Sequence, residues 1–510
     1  MTGNSSDQKF DLNTGHPRRS AILVIMCMSL VLIVSAVSSL NVAIPTIVRE
    51  LQPSSTEQLW ILDSYALVFA GFLLLCGALG DRYGRKHALI LGMVIFAVAS
   101  VLAAYADTPT QLIGYRAIMG IGAAFIMPAT LSTITVVFPP EERAKAIAVW
   151  AGFAGAGGAI GPVASGLLLE WYWWGSIFFI SVPIVALTLA AIIAVVPNSA
   201  ELERHSLDYV GAVLSVVMLV SIVFGIVEGP ESGWLAAPTL GAFAVGIVTT
   251  AIYLWWERRV EYPLLDPRDF LIPRFGLGAL TITSAFLAMF GMFFLMTLYM
   301  QFVLGWSPLT SAVRLLPFSV VMIIIAPRNP KLTERLGTGR TVAIGFLIQS
   351  LGFLIAAVGL SDDSSYWIVL AAVIPMAMGM AFLMPPTTNA IVSALPQDKA
   401  GVASAVNDTT REVGGAVGIA LLGTLVTISY QSGIGDAAAG LPPELANIAE
   451  DSIGGAAQVA SRLDPAVAAP IIEAANAAFL DGITVAFGTA AALGLIMAGV
   501  ISRFYPSDAT

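Results

Sequence analysis

The chain has 510 residues, of which 57% are hydrophobic and only 11% charged, against about 25% charged in soluble domains. That balance excludes a water-soluble globular protein and makes lipid the main solvent. The formal net charge of −9 carries no signal for nucleic acid as a partner, because many of the acids gather in one segment near the C-terminal end. The two cysteines, Cys27 and Cys76, fall inside apolar runs, where neither a disulfide nor a metal site is suggested.

The first apolar run lasts from Ser20 to about Pro45. It exceeds the roughly 7–15 residues of a signal h-region, so it reads as a span and not as a cleavable leader. Stretches of about 18 or more apolar residues place further spans near 58–80, 87–106, 111–136, 143–169, 175–196, 208–228, 236–256, 275–304, 310–327, 340–360, 366–394, 400–430 and 478–502. The expected fold is all-α, with fourteen transmembrane helices. With the amino terminus inside, nineteen of the 24 basic residues fall on the cytoplasmic side, among them Lys9, Arg82, Arg85, Lys86, Arg143, Lys145, Arg204 and Lys399. Only Arg49 and Arg462 fall opposite. This asymmetry orients both termini towards the cytoplasm.

The acid-bearing segment 431–477 is expected outside, with Pro442–Val459 and Pro465–Ala478 as two short amphipathic helices. It is either a solvated loop or a lid over the external vestibule. Pro330–Phe346 echoes Gly77–Met93: an acid and a base, a glycine, a base, then the next apolar run. The echo pairs span two with span ten, as two six-helix halves do when two helices are inserted between them. The linker 257–274, with Pro263, Pro267 and Pro273, ends that insertion.

Ionisable groups within spans cost at least about 2.5–3.5 kcal/mol each and are kept where they face an aqueous cavity or a partner. Here they are Asp63, Arg116, Arg314, Asp408, Arg411 and Glu412. Asp63 either trades protons and substrate or is solvated near the outer surface. Asp408 stands three residues before Arg411, so it either titrates or forms a neutral pair. Arg116, a lone cation on a Gly-rich run, is expected to modulate a neighbouring acid or bind carbonyls. Arg314 and Arg411 lie nearer helix ends, where snorkelling explains them. Span five carries Gly152, Gly155, Gly157, Gly158, Gly161, Pro162 and Gly166, a pattern for close helix approach and bending. Trp60, Tyr65, Trp150, Trp306 and the WYWWG run at 171–175 read mostly as interfacial belt residues; a few could line an aromatic cavity for cations.

In these motifs the chain resembles the major facilitator superfamily, and within it the fourteen-span drug/proton antiporters, including bacterial quaternary-ammonium exporters. The loop motif GxLxDRxGRK is matched at Gly77, Leu79, Asp81, Arg82, Gly84, Arg85 and Lys86, the span-four motif at Arg116, Gly120, Gly122 and Pro128, and the antiporter motif at Gly157, Gly161, Pro162 and Gly166. The resemblance implies a proton-coupled exporter of lipophilic, monovalent cationic or neutral drugs, in the bacterial inner membrane and monomeric. The partners it implies are protons, lipid and a small amphiphilic substrate, without a cofactor. It implies six-helix bundles at 20–200 and 275–503 around inserted helices at 201–274, between cytoplasmic tails at 1–19 and 504–510. It also implies coupling by Asp63, Asp408 and Arg116, a substrate cavity with Trp60, Asp63, Tyr65, Asn407, Asp408 and Glu412, and a conformational latch at Gly77, Asp81, Arg82, Gly84, Arg85 and Lys86. Two departures bear on cargo: relatives carry acids where this chain has Ala36 and Met322. Export of an endogenous lipid, siderophore or antibiotic is the alternative, and proton-driven import a further one. No GxxxxGK[ST] phosphate loop occurs. The three histidines, His16, His87 and His205, fall at cytoplasmic ends and form no nucleophile–base constellation.

Overall fold

The computed structural model describes residues 15–53, 55–198, 208–396 and 399–506. Lys9, Arg204 and His205, weighed above, lie outside them. Among the described residues there is helix and no strand. The long helices are α1 (Arg19–Leu51), α2 (Ser55–Tyr83), α3 (Arg85–Ala104), α4 (Pro109–Val137), α5 (Pro140–Trp171), α6 (Ser181–Val195), α7 (Tyr209–Ser232) and α8 (Ala237–Glu257). They continue with α9 (Pro273–Leu298), α10 (Pro308–Ile325), α11 (Thr338–Gly359), α12 (Tyr366–Ala394), α13 (Ala400–Ala438) and α14 (Pro465–Phe504). Thirteen helices among the described residues are long and apolar enough to cross a membrane. Helix α5 is 32 residues long, rich in Gly and Ala, and opens on Glu141, Glu142, Arg143 and Lys145.

Helix starts follow local chemistry. Thr108 Oγ1 accepts the Gln111 backbone N–H at 3.3 Å ahead of Pro109, and Ser307 Oγ accepts that of Thr310 at 3.1 Å ahead of Pro308. The echo between Gly77–Met93 and Pro330–Phe346 reflects a shared turn, since Gly84 and Gly337 both adopt left-handed backbone, φ 107° and 82°.

Helices α1 to α6 pack on one another, chiefly α1 on α5 and α4 between α2 and α3. Helices α9 to α14 form a second group, with α9 on α13 and α11 between α12 and α14. The two groups meet along two seams, α2 and α4 against α13, and α5 against α10 and α12. The inserted α7 pairs with α8 and lies against both α2 and α13. There Leu67, Ala70 and Val223 form a small apolar cluster edged by Val413 and Ala416.

The segment 431–477 differs from expectation. Helix α13 runs on to Ala438, Pro443–Asp451 and Ile453–Ala460 are two short helices, and Pro465 opens α14. The stretch expected as a second external helix is thus the first part of a 40-residue helix. At 1.5 Å per residue, α14 is about 60 Å long, twice the hydrocarbon thickness of about 30 Å, so it stands well proud of the lipid. Tyr430 Oη donates to the Ala449 carbonyl at 2.9 Å and ties the short helices to α13.

Candidate functional site

Five ionisable side chains of α2, α4 and α13 form two sets joined through Tyr65: Arg116 with Asp63, and Asp408 with Arg411 and Glu412. Arg116 of α4 is only 1% exposed. Its Nη2 donates to the Leu62 carbonyl of α2 at 2.9 Å, and its guanidinium lies 5.2 Å from the centre of the Tyr65 ring. Asp63, half-buried on the same turn of α2, is within electrostatic reach of Arg116. Tyr65 is in turn within reach of Glu412 on α13, so it links the two helix groups.

On α13, Asp408 is 1% exposed. Its Oδ1 accepts from Asn407 Nδ2 at 3.2 Å and from Arg411 Nη1 at 3.5 Å. Asn407 Oδ1 accepts from Thr388 Oγ1 of α12 at 3.1 Å, which fixes the amide. Arg411, 5% exposed, has its guanidinium 4.7 Å from the Phe286 ring of α9 and 5.8 Å from the Trp150 ring of α5. Trp150 Nε1 donates to Thr130 Oγ1 at 3.3 Å, so that ring is held in place. Several buried polar atoms here make no hydrogen bond among the described residues: Arg116 Nε and Nη1, Tyr65 Oη, Asp408 Oδ2 and Arg411 Nε. Buried polar groups are ordinarily paired, so such a concentration marks this as the candidate functional site. With all groups ionised, three acids face two bases, leaving one negative charge in excess.

Three sequence expectations need correction. Arg411 is not a snorkelling end residue: it lies eleven residues beyond Ala400 on α13, about 16 Å along the helix axis, and stacks on aromatic rings inside the bundle. Tyr65 and Trp150 are not belt residues, since both are fully buried. Each stands ten residues from its helix start, about 15 Å along the axis, far from either helix end. Trp306 is half-buried, with the Arg314 guanidinium 3.7 Å from its ring. Trp60 packs its ring on Phe224 of α7, with centroids 5.6 Å apart. Sequence reasoning missed Trp150 and Phe286 as the seat of Arg411; Trp150's distance from the helix end was the available signal.

The end of the molecule carrying the α2–α3 turn is closed across the seam. Asp81 pairs with Arg85 at 2.6 Å and its Oδ2 accepts the Val402 backbone N–H of α13 at 3.1 Å. A Cβ on Gly77 would stand 2.7 Å from the Gly401 carbonyl oxygen and 2.8 Å from Ala405 Cβ. Lys86 Nζ donates to the Ile193 carbonyl of α6 at 2.8 Å, and the Arg82 guanidinium lies over the Tyr83 ring. The expected latch residues therefore divide: Gly77 and Asp81 reach the other helix group, with Arg85 bracing Asp81, while Lys86 ties its own group. On α5, Gly157 and Gly161 face α1, where Ser35 Oγ donates to the Gly157 carbonyl at 3.0 Å, and Gly152 and Gly166 face α10. The Met322 carbonyl lies 3.2 Å from a Cβ placed on Gly152. Ala36 lines a separate apolar crevice of about 360 Å³ between α1, α5 and α6, which contains no acid or base.

Residues 26–419 match the family model described as Major Facilitator Superfamily. The chain is 36% identical over 490 residues to the multidrug efflux pump LfrA of Mycolicibacterium smegmatis, covering 96% of this chain and 97% of that protein. It is 33% identical over 486 residues to the methyl viologen resistance protein SmvA of Salmonella typhimurium, covering 94% and 97%. Among solved structures, the human organic anion transporter MFSD10 (TETRAN) is similar in fold, with TM-score 0.63 at 13% identity over 95% of this chain and 100% of that one.

Proposed function

Because the chain belongs to the Major Facilitator Superfamily, we propose that this membrane transporter exports a lipophilic monovalent cation in exchange for protons, using the five-charge group between α2, α4 and α13. The observation that carries the reading is the single negative charge in excess there, which one proton or one monovalent cation neutralises. Relatives named for multidrug efflux and for methyl viologen resistance support export of organic cations, methyl viologen itself being divalent. Asp408 and Asp63 hold the proton or the cargo, and Arg116 keeps Asp63 ionised until the exchange. Residues 20–200 and 275–503 rock as two units about the two seams, with both termini in the cytoplasm and the chain acting as a monomer. Asp81 and Gly77 hold the cytoplasmic side shut, and because a one-for-one exchange of a proton for a monovalent cation moves no net charge, the pH gradient drives it.

The test is transport by the purified chain in vesicles. Tetraphenylphosphonium is expected to move against its gradient when a pH gradient is imposed, and a protonophore is expected to stop it. Movement indifferent to the pH gradient overturns the coupling. Arg116→Gln is expected to slow gradient-driven movement about tenfold or more, while tetraphenylphosphonium binding in detergent stays within about twofold of the parent. An equal loss of binding assigns Arg116 to the cargo instead.

A further inference from the structure

Arg411 occupies a seat that suits a different kind of ion. Its guanidinium lies over the Phe286 and Trp150 rings, at 4.7 and 5.8 Å, and its Nη1 is 3.5 Å from Asp408 Oδ1. Two aromatic faces and a carboxylate, all out of water, are what a lipophilic cation needs. An arginine ordinarily fills its fork of donors with acceptors. Here Nε makes no hydrogen bond among the described residues, and the contact to Asp408 is at the long limit. Asp408 Oδ2 is likewise without a hydrogen-bond partner, so the pair leaves capacity on both sides. The rings also come from opposite helix groups, Trp150 from α5 and Phe286 with Arg411 from α9 and α13. Separating the groups at this seam takes Trp150 away from Arg411.

We propose that Arg411 is a tethered stand-in for the cargo: it fills the aromatic and carboxylate seat when the transporter is empty, and an arriving lipophilic cation displaces it. Resting on the cation-exchange reading above, this assigns Arg411 a role in setting affinity. While the one acid in excess still has to take a proton before the bundles return, the tethered guanidinium keeps Asp408 partnered in the empty protein. It also sets a threshold, because a cation must outcompete the arginine for the rings and Asp408 together. A purely structural arginine would be needed for binding; a stand-in opposes it.

The experiment is tetraphenylphosphonium titration of the full chain in detergent, read by tryptophan fluorescence, for the parent, Arg411→Gln and Arg411→Lys. Arg411→Gln is expected to bind about tenfold more tightly than the parent, the competing cation–π contact being gone. Arg411→Lys keeps the charge but loses the planar stack and is expected to lie between them. Should Arg411→Gln fail to fold, the tightening in Arg411→Lys carries the test. Parent binding with equal or weaker binding by the folded variants overturns the stand-in role and leaves the cation reading intact. No binding by the parent or either variant overturns both.

Discussion

Asp408→Asn is expected to abolish gradient-driven export, lowering the rate at least about a hundredfold, the scale on which a missing proton-transfer group is felt. The substitution is nearly isosteric, and an asparagine oxygen can still accept from Asn407 Nδ2, which now stands 3.2 Å from Oδ1. What disappears is the charge that Arg411 and a proton share. Because Asp408 is 1% exposed and flanked by Glu412 and Arg411 on one helix, its removal leaves two acids against two bases. The site then has no excess charge for a monovalent cation to neutralise. The measurement is vesicle transport of tetraphenylphosphonium with and without an imposed pH gradient, with Asp63→Asn alongside. A full response to the gradient in Asp408→Asn would move the coupling role to Asp63 or Glu412.

Gly77→Val should stop turnover by a different route. A Cβ at this position meets the Gly401 carbonyl and Ala405 Cβ below 3 Å, and neither belongs to a flexible side-chain end that can swing away. The valine therefore holds α2 off α13 at the latch and lengthens the Asp81 to Val402 hydrogen bond. Overpacking of this kind costs typically about 1–3 kcal/mol, enough to shift a two-state balance by roughly tenfold or more. Export is expected to fall accordingly, while the protein still folds because the contact exists only in the closed arrangement. A cysteine at Ala405, a buried position here, should react with a maleimide in Gly77→Val and be protected in the parent. Protection in both would show that the latch closes by some other surface.

Much of this architecture was legible in the chain because a bilayer reduces helix prediction to counting apolar residues. The turn glycines Gly84 and Gly337 were visible as an echo for a related reason: one backbone conformation needs one residue type in both halves. What counting did not supply was depth and direction. Trp150 and Tyr65 carry the composition of a belt, and only their distance from the helix ends points to the bundle interior. Arg411 was read as an end residue because span thirteen opens on polar residues, so the basic end of the run looked nearer than it is. The long reach of α13 and α14 escaped because an Ala-rich segment with scattered acids has the same composition in a loop and in the exposed end of a helix. Of the candidate site, the acids and Arg116 were found from their cost in lipid alone. The aromatic seat was not, since no local pattern says that α5 and α9 will face the same guanidinium.

The placement of α7 has a consequence for traffic. The two helix groups meet on two flanks, and on one of them this helix lies over the join between α2 and α13, with Val223 set against Leu67 and Ala70. That flank is shuttered, so greasy molecules drifting in from the bilayer on that side meet a wall. The α5–α10 flank is closed by close approach instead, Gly152 and Gly166 letting α10 lie directly against α5, so bulk added at either glycine should prise the two helix groups apart on that side.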